Sequence, residues 1–268
     1  MACGKHLSWA KQVARVCSLA LDLQPTGVVN VRKNNQAYYD EYASWYENER
    51  HRGYHALIDE LEIDLLLPYI KGRDCLEVGC GTGLILRSVA PLANRAVGID
   101  ISPGMLAKAV ERGLDAIEGS ATALPFEDDS FDVVYSFKVL AHVEEIDLAL
   151  REMTRVTRPG GKMLLEFYNP YSLRYLAKSL AGPQKISKST HEGAVFTRWD
   201  RPVDLDRLLP SNVRVVDYAG VRIFTPAAFC HKIPLLSNVL RSMEFVGRDS
   251  LLKYFGGFLV AIVQKDPS

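Results

Sequence analysis

Between residues 74 and 168, short apolar runs alternate with segments whose apolar residues recur at helical spacing. The runs predict strands at Asp74–Val78, Arg95–Asp100, Asp115–Glu118, Phe131–Ser136 and Met163–Tyr168. The intervening segments predict helices at 82–92, after Ser102-Pro103, and at 145–157. Ser102 suits an N-cap and Pro103 the first helical position, while Gly113 suits the end of that helix. Pro159-Gly160-Gly161 predicts the turn into the fifth strand. Short, mostly apolar strands alternating with helices point to a parallel sheet covered on both faces.

The pattern differs on either side. Leu7, Ala10, Val13, Ala14, Cys17 and Leu21 predict an amphipathic helix over 7–23. Residues 38–70 predict two further helices, broken near Gly53, the second closed by Pro68 and Gly72. After residue 168 the alternation stops. Residues 170–201 form an insertion with a helical piece around 171–181. Strands are expected at 213–219 and 258–264, separated by a mostly helical insertion at 225–254. The expected organisation is a helical lid region over residues 1–70 and an α/β domain over 71–268.

Lys+Arg and Asp+Glu both number 32. A net charge of zero argues against nucleic acid as the main partner, because that binding rests on excess positive charge. The five scattered cysteines have no C-x-x-C spacing, which speaks for reduced intracellular thiols and against a zinc site. No apolar run reaches the length of a membrane span. Lys5, Lys11 and Arg15 interrupt the apolar N-terminal stretch, so a cleaved leader is not expected and the cytoplasm is.

The candidate chemistry starts at residues 75–83, CLEVGCGTG. Gly79, Gly81 and Gly83 alternate, whereas the dinucleotide fingerprint is G-x-G-x-x-G, and no Gly-Lys-Ser/Thr follows to make a phosphate loop. Glycines there let the backbone approach a ligand, and the helix N-terminus behind them suits a carboxylate as well as a phosphate. Asp100, at the end of the second strand, is placed to accept from ribose hydroxyls. A ribose and a carboxylate without a phosphate describe S-adenosylmethionine.

Four stretches then fall into line: LEVGCGTG (76–83), VGIDIS (97–102), GSATALPFEDDSFDVVYS (119–136) and RVTRPGGKMLLEF (155–167). Together they resemble the successive motifs of class I S-adenosylmethionine-dependent methyltransferases, of the small-molecule type related to ubiquinone and menaquinone biosynthesis. The resemblance covers about residues 39–168. It implies a Rossmann-like seven-stranded sheet in the order 3-2-1-4-5-7-6, with strand seven antiparallel. It implies that Glu77 and Gly79, Cys80 and Gly81 line the methionine end of the cofactor. Asp100 would bind the ribose, Ile101 and Met105 would flank the adenine, and Ser120 and Ala121 would meet its edge. Phe137 would lie beside the sulfonium. Ser120 stands where the family often has Asp; a hydroxyl accepts more weakly than a carboxylate.

The N-terminal YDEYASWYE (39–47) resembles the segment that closes over the cofactor in this subgroup, with Tyr39, Tyr42 and Tyr46 on one helix face. An aromatic wall there would attract a sulfonium cation; helix packing is the alternative. On the acceptor side, His142 is the candidate general base, with a scaffold role as the alternative, and His191 is a second candidate. Lys138 reads as a solvated or cofactor-side residue. Residues Asn169-Pro170-Tyr171 read as a turn. Residues 171–201 hold six Lys/Arg against two acids, interleaved with Tyr171, Tyr175, Phe196 and Trp199, which would suit an acidic, aromatic or prenylated acceptor or an anionic membrane face, with a merely solvated surface as the alternative. The expected activity is methyl transfer to a small molecule. The alternatives are RNA or protein methylation, and a catalytically idle cofactor-binding module.

Overall fold

The structure is a computed structural model that describes residues 35–43, 53–181 and 196–267. In chain order the helices are α1 (Asn35–Tyr42), α2 (Gly53–Ile70), α3 (Leu86–Val89), α4 (Pro103–Glu111), α5 (Ile146–Val156), α6 (Leu173–Ala181), α7 (Leu205–Leu208) and α8 (Pro234–Gly247). The strands are β1 (Asp74–Val78), β2 (Arg95–Asp100), β3 (Ala116–Glu118), β4 (Phe131–Ser136), β5 (Thr157–Tyr168), β6 (Val213–Val221) and β7 (Phe258–Lys265). They form one sheet in the order β3-β2-β1-β4-β5-β7-β6. β1 pairs in parallel with β2 and β4, and β4 with β5; β7 runs antiparallel to both β5 and β6. The expected order and the antiparallel seventh strand are both present.

Strand alternation sorts the core into two layers. Cys75, Val133 and Tyr135 face α2, where Leu57, Leu61, Leu65 and Ile70 cover them. Leu76, Val78, Phe131 and Val134 face the other way and pack with Leu150 and Met153 of α5. α5 buries Ile146, Ala149, Leu150, Met153 and Val156, the spacing read from the sequence. α4 begins as expected, with the Met105 N–H donating to Ser102 Oγ at 3.2 Å and Pro103 at the first position.

Three elements differ from expectation. The helix expected at 82–92 is confined to Leu86–Val89. Gly81 and Gly83 have φ of +53° and +77°, so the chain is still turning before it can become helical. Pro68 does not close α2, which continues to Ile70 with the proline on its exposed face. Residues Pro159–Gly161 do not precede β5 but bulge out of it: Thr157 pairs with Phe131 and Lys162 with Val133, and Gly160 has φ +76°. The helix expected at 7–23 lies outside the described residues.

Candidate active site

At the carboxyl ends of β1, β2 and β4 the loops enclose a cavity of about 560 Å³. This is where open α/β sheets bind ligands, because the strand order reverses there and the crossing loops part. Its walls include Tyr39, Gly79, Gly81, Asp100, Ile101, Met105, Ser120, Ala121, Phe137 and His142. Nine of the eleven residues expected to hold the cofactor therefore meet in one place, with the candidate base.

The glycine loop is shaped by its own backbone and by Asp100. Gly79, Gly81 and Gly83 all have positive φ, and a side chain at Gly81 would meet nothing within 4 Å. The Gly81 N–H donates to Asp100 Oδ2 at 2.8 Å and the Ser102 N–H to Oδ1 at 2.9 Å. The carboxylate so fixed keeps lone pairs on both oxygens for a further donor. Burial raises the Asp100 pKa, opposed by the backbone N–H groups of Ser102 and Gly81.

α1 is fastened over this rim. Asp40 Oδ1 accepts from Ser102 Oγ at 2.5 Å and from the Gly104 N–H at 3.0 Å. A carboxylate at the N-terminus of α4 also meets the positive end of the helix dipole. Tyr39 is thereby held in the wall, its ring edge-on to His142 with centroids 6.3 Å apart. The Tyr42 side chain and Tyr46 lie outside the described residues, as does His191.

Glu77 and Cys80 are not brought to the cavity. Glu77 is on β1 with its side chain toward α2, where its carboxylate accepts from Tyr135 Oη at 3.3 Å and burial pushes its pKa well up. The Cys80 thiol is buried against β2; a Cβ at Gly98 would lie 2.6 Å from its sulfur. Ser120 lines the cavity with its hydroxyl already engaged, 2.7 Å from Thr122 Oγ1 and accepting the Thr122 N–H at 3.2 Å.

Lys138 lines the cavity, as the cofactor-side expectation had it, with its ammonium paired and not solvated. Its backbone has φ +62°, its N–H donates to Glu166 Oε1 at 2.9 Å, and its ammonium pairs with Asp59 at 3.0 Å and with Glu62. Burial and the neighbouring Glu62 raise the Glu166 pKa. A lysine between Phe137 and Val139 is thus clamped to α2 and β5 from beneath the cavity wall. No residue type signals a left-handed lysine, so this clamp leaves no local mark to read.

His142 ends the short 3₁₀ turn Leu140–His142. Its Nδ1 is 2.8 Å from the Phe196 carbonyl, and its Nε2 is 3.3 Å from Tyr168 Oη. A carbonyl only accepts, so Nδ1 carries the proton and Nε2 accepts from the tyrosine. Burial lowers the His142 pKa to about 4, leaving the ring neutral near pH 7.

The basic, aromatic insertion is internally spent in its described part. The Arg174 guanidinium lies 4.1 Å over the Tyr168 ring and 4.9 Å over Trp199, and Tyr175 packs on Trp199 at 4.8 Å. Arg198 pairs with Asp200 at 2.7 Å and Arg201 with Asp204 at 2.6 Å. Asn169 makes the expected turn: its amide donates to the Tyr254 and Gly256 carbonyls, and its oxygen accepts the Tyr171 N–H at 2.9 Å. Val139, Thr122, Val143, Glu144 and Glu145 also line the cavity and were not singled out in the sequence.

Residues 76–165 match the family model described as a methyltransferase domain. By this match the segment resembles a methyltransferase domain. The chain is 37% identical over 133 residues to a demethylmenaquinone methyltransferase of Mycobacterium marinum, a match covering 47% of this chain and 58% of that protein. The chain thus spans little more than half the length of that relative. Among solved structures, an S-adenosylmethionine-dependent methyltransferase of Thermotoga maritima shares the fold with TM-score 0.58 and 18% identity, over 87% of this chain and 99% of that chain. The [4+2]-cyclase SpnF also shares it, with TM-score 0.60, 18% identity, and coverage of 91% of this chain and all of that one. The cofactor that goes with the methyltransferase domain is S-adenosylmethionine, and the residues present fit it: a doubly anchored Asp100, an open glycine backbone, and apolar walls from Ile101, Met105 and Phe137. Among the described residues, no helix is long and apolar enough to cross a membrane.

Proposed function

We propose that the chain transfers a methyl group from S-adenosylmethionine to a small-molecule acceptor. The observation that carries this reading is the convergence of Gly79, Gly81, Asp100, Ile101, Met105 and Phe137 on one cavity in a segment that resembles a methyltransferase domain. When bound, S-adenosylmethionine supplies an electrophilic methyl on a sulfonium. The protein's task is alignment and exclusion of water. Asp100 holds the ribose; Tyr39 and Phe137 offer ring faces toward a cation; α1, fastened through Asp40, closes the rim. Likeness to the demethylmenaquinone methyltransferase supports an aromatic, quinol-type acceptor. We read His142 as a positioning residue: with its Nε2 occupied by Tyr168, it fixes that ring and the 196–199 strip.

Calorimetric titration with S-adenosylhomocysteine tests this, comparing wild type with Asp100→Ala. Wild type is expected to bind at micromolar concentration, and the variant at least tenfold more weakly, the scale of a lost hydrogen bond to a charged group. A screen of reduced demethylated naphthoquinones with labelled methyl donor follows. Absence of both binding and turnover in the wild type would sink the proposal.

A further inference from the structure

Buried carboxyl groups crowd round one ammonium beneath the cavity wall. Glu62 of α2, Glu77 of β1 and Glu166 of β5 are each no more than 4% exposed. The Lys138 ammonium pairs with Glu62 and, at 3.0 Å, with Asp59. A buried carboxylate without a matching charge is costly, so the group does not hold a negative charge on every member. Glu62 takes the ammonium. Glu166 is held differently: its Oε1 accepts the Lys138 N–H at 2.9 Å, and its Oε2 meets no donor among the described residues. It also lies within hydrogen-bonding reach of the Glu62 carboxyl. Two carboxyl groups hydrogen-bond each other only when a proton lies between them. Burial, and then the Glu62 charge, pushes the Glu166 pKa well up, in keeping with a proton kept at this pair.

The result is a closed ring drawn from α2, β5 and the end of β4. Glu166 holds the Lys138 N–H, Glu62 holds the Lys138 ammonium, and the proton joins the two carboxyls. Lys138 has φ +62°, a conformation that a lysine keeps only when its surroundings impose it. Its neighbours Phe137 and Val139 both line the cavity, and the Val139 methyls stand directly behind Gly79. A turn that relaxed toward ordinary φ would therefore displace two parts of the wall together. We infer that Glu166 is a positioning residue for the cofactor: sharing one proton with Glu62, it locks the left-handed turn that sets Phe137 and Val139 in the cavity wall. The positioning role rests on the methyl-transfer reading; the shared proton does not. The other titratable groups facing the ring are Asp59 and Tyr54 of α2, Glu77 of β1, Tyr135 of β4 and Tyr168 of β5. Burial raises the pKa of all three tyrosines, which stay neutral near pH 7. Glu77 is raised by burial as well, so a comparison that changes Glu166 alone is needed.

Glu166→Gln makes that comparison. A glutamine amide offers an acceptor to the Lys138 N–H and a donor to Glu62, as a protonated carboxyl does and an ionised one does not. Calorimetric titration with S-adenosylhomocysteine is expected to give wild-type affinity for Glu166→Gln and at least tenfold weaker binding for Glu166→Ala, the scale of a lost buried hydrogen bond to a charged group. Thermal midpoints without ligand, from about pH 5 to about pH 8, test the proton itself. The folded wild type keeps its proton where an unfolded glutamate, with a pKa of about 4.3, has lost it. The wild type therefore loses stability as pH rises through this window, and its midpoint is expected to fall relative to that of Glu166→Gln. The same pH dependence in both proteins would overturn the shared proton. Binding by a folded Glu166→Gln as weak as that of Glu166→Ala, or binding by Glu166→Ala as tight as wild type, would overturn the positioning role. Should Glu166→Ala fail to fold, the glutamine variant and its pH dependence decide. No binding by the wild type would sink the methyl-transfer reading and the positioning role with it, a failure that the ligand-free midpoints tell apart from loss of the proton.

Discussion

Gly79→Ala examines how tightly the cavity floor is fitted to its wall. Gly79 has φ +80°, and a Cβ there would lie 2.2 Å and 2.8 Å from the two methyls of Val139 and 3.0 Å from its Cβ. The left-handed conformation costs an alanine about 1–2 kcal/mol. Overpacking against Val139 adds roughly 1–3 kcal/mol. Val139 cannot withdraw by backbone motion, because the preceding Lys138 is held by Glu166, Asp59 and Glu62. Its side chain must therefore swing into the cavity. Val139→Ala alone loses two half-buried methyls, about 1 kcal/mol. In the double variant the nearest remaining atom is the Cβ at 3.0 Å, tight but tolerable, so the steric part of the penalty is mostly removed. Urea unfolding of the four proteins is expected to give a favourable coupling of about 1–2 kcal/mol, with S-adenosylhomocysteine affinity partly restored in the double variant. Penalties that simply add, within about 0.5 kcal/mol, would refute the contact.

Two further outcomes follow from buried polar groups. In the folded chain His142 takes up its proton near pH 4, against about 6.5 when unfolded. Between those values the unfolded state binds more protons, so the histidine's share of stability, up to about 3 kcal/mol, is intact above pH 6.5 and drains away as pH falls toward 4. The difference in unfolding free energy between wild type and His142→Gln should shrink over that window, and a pH-independent difference would contradict the assignment. Glu244→Ala leaves three backbone donors and a hydroxyl without their acceptor. A loss of about 3–5 kcal/mol in denaturant titration is expected, with a smaller loss for Glu244→Gln; less than about 1 kcal/mol would show that the segment 223–225 finds other partners.

The sequence carried the frame of the protein well. β1, β2 and β4 fall on their expected residues because each is a short apolar run bounded by charged or glycine positions, and the same runs aim Gly79, Gly81 and Asp100 at one point. Less visible was what depends on backbone strain or on contacts distant in sequence. Residues 82–85 look helical by composition, but two left-handed glycines delay the first turn. Glu77 belongs to the glycine motif by sequence, yet strand alternation turns it away from the cavity toward α2 and Tyr135. The cations of 171–201 looked free; aromatic rings and nearby carboxylates take up Arg174, Arg198 and Arg201. The buried acceptor role of Glu244 joins residues about twenty apart and left no local pattern to read.

The placement of β7 has a bearing on how the polypeptide is made. β7 is the last strand in sequence but lies between β5 and β6, paired to each over most of its length. A chain emerging from the ribosome can assemble β1 to β5 as a parallel unit in order of synthesis. β6 then appears with no strand to join, since its sole neighbour in the sheet is β7. Until residues 258–265 are available, β5 carries a bare hydrogen-bonding edge and β6 two. Open edges of that length invite pairing with other chains. Completion of the sheet is therefore a late, all-at-once insertion of one hairpin-like pair, and slow translation or early termination before residue 258 would leave an aggregation-prone intermediate rather than a smaller folded domain.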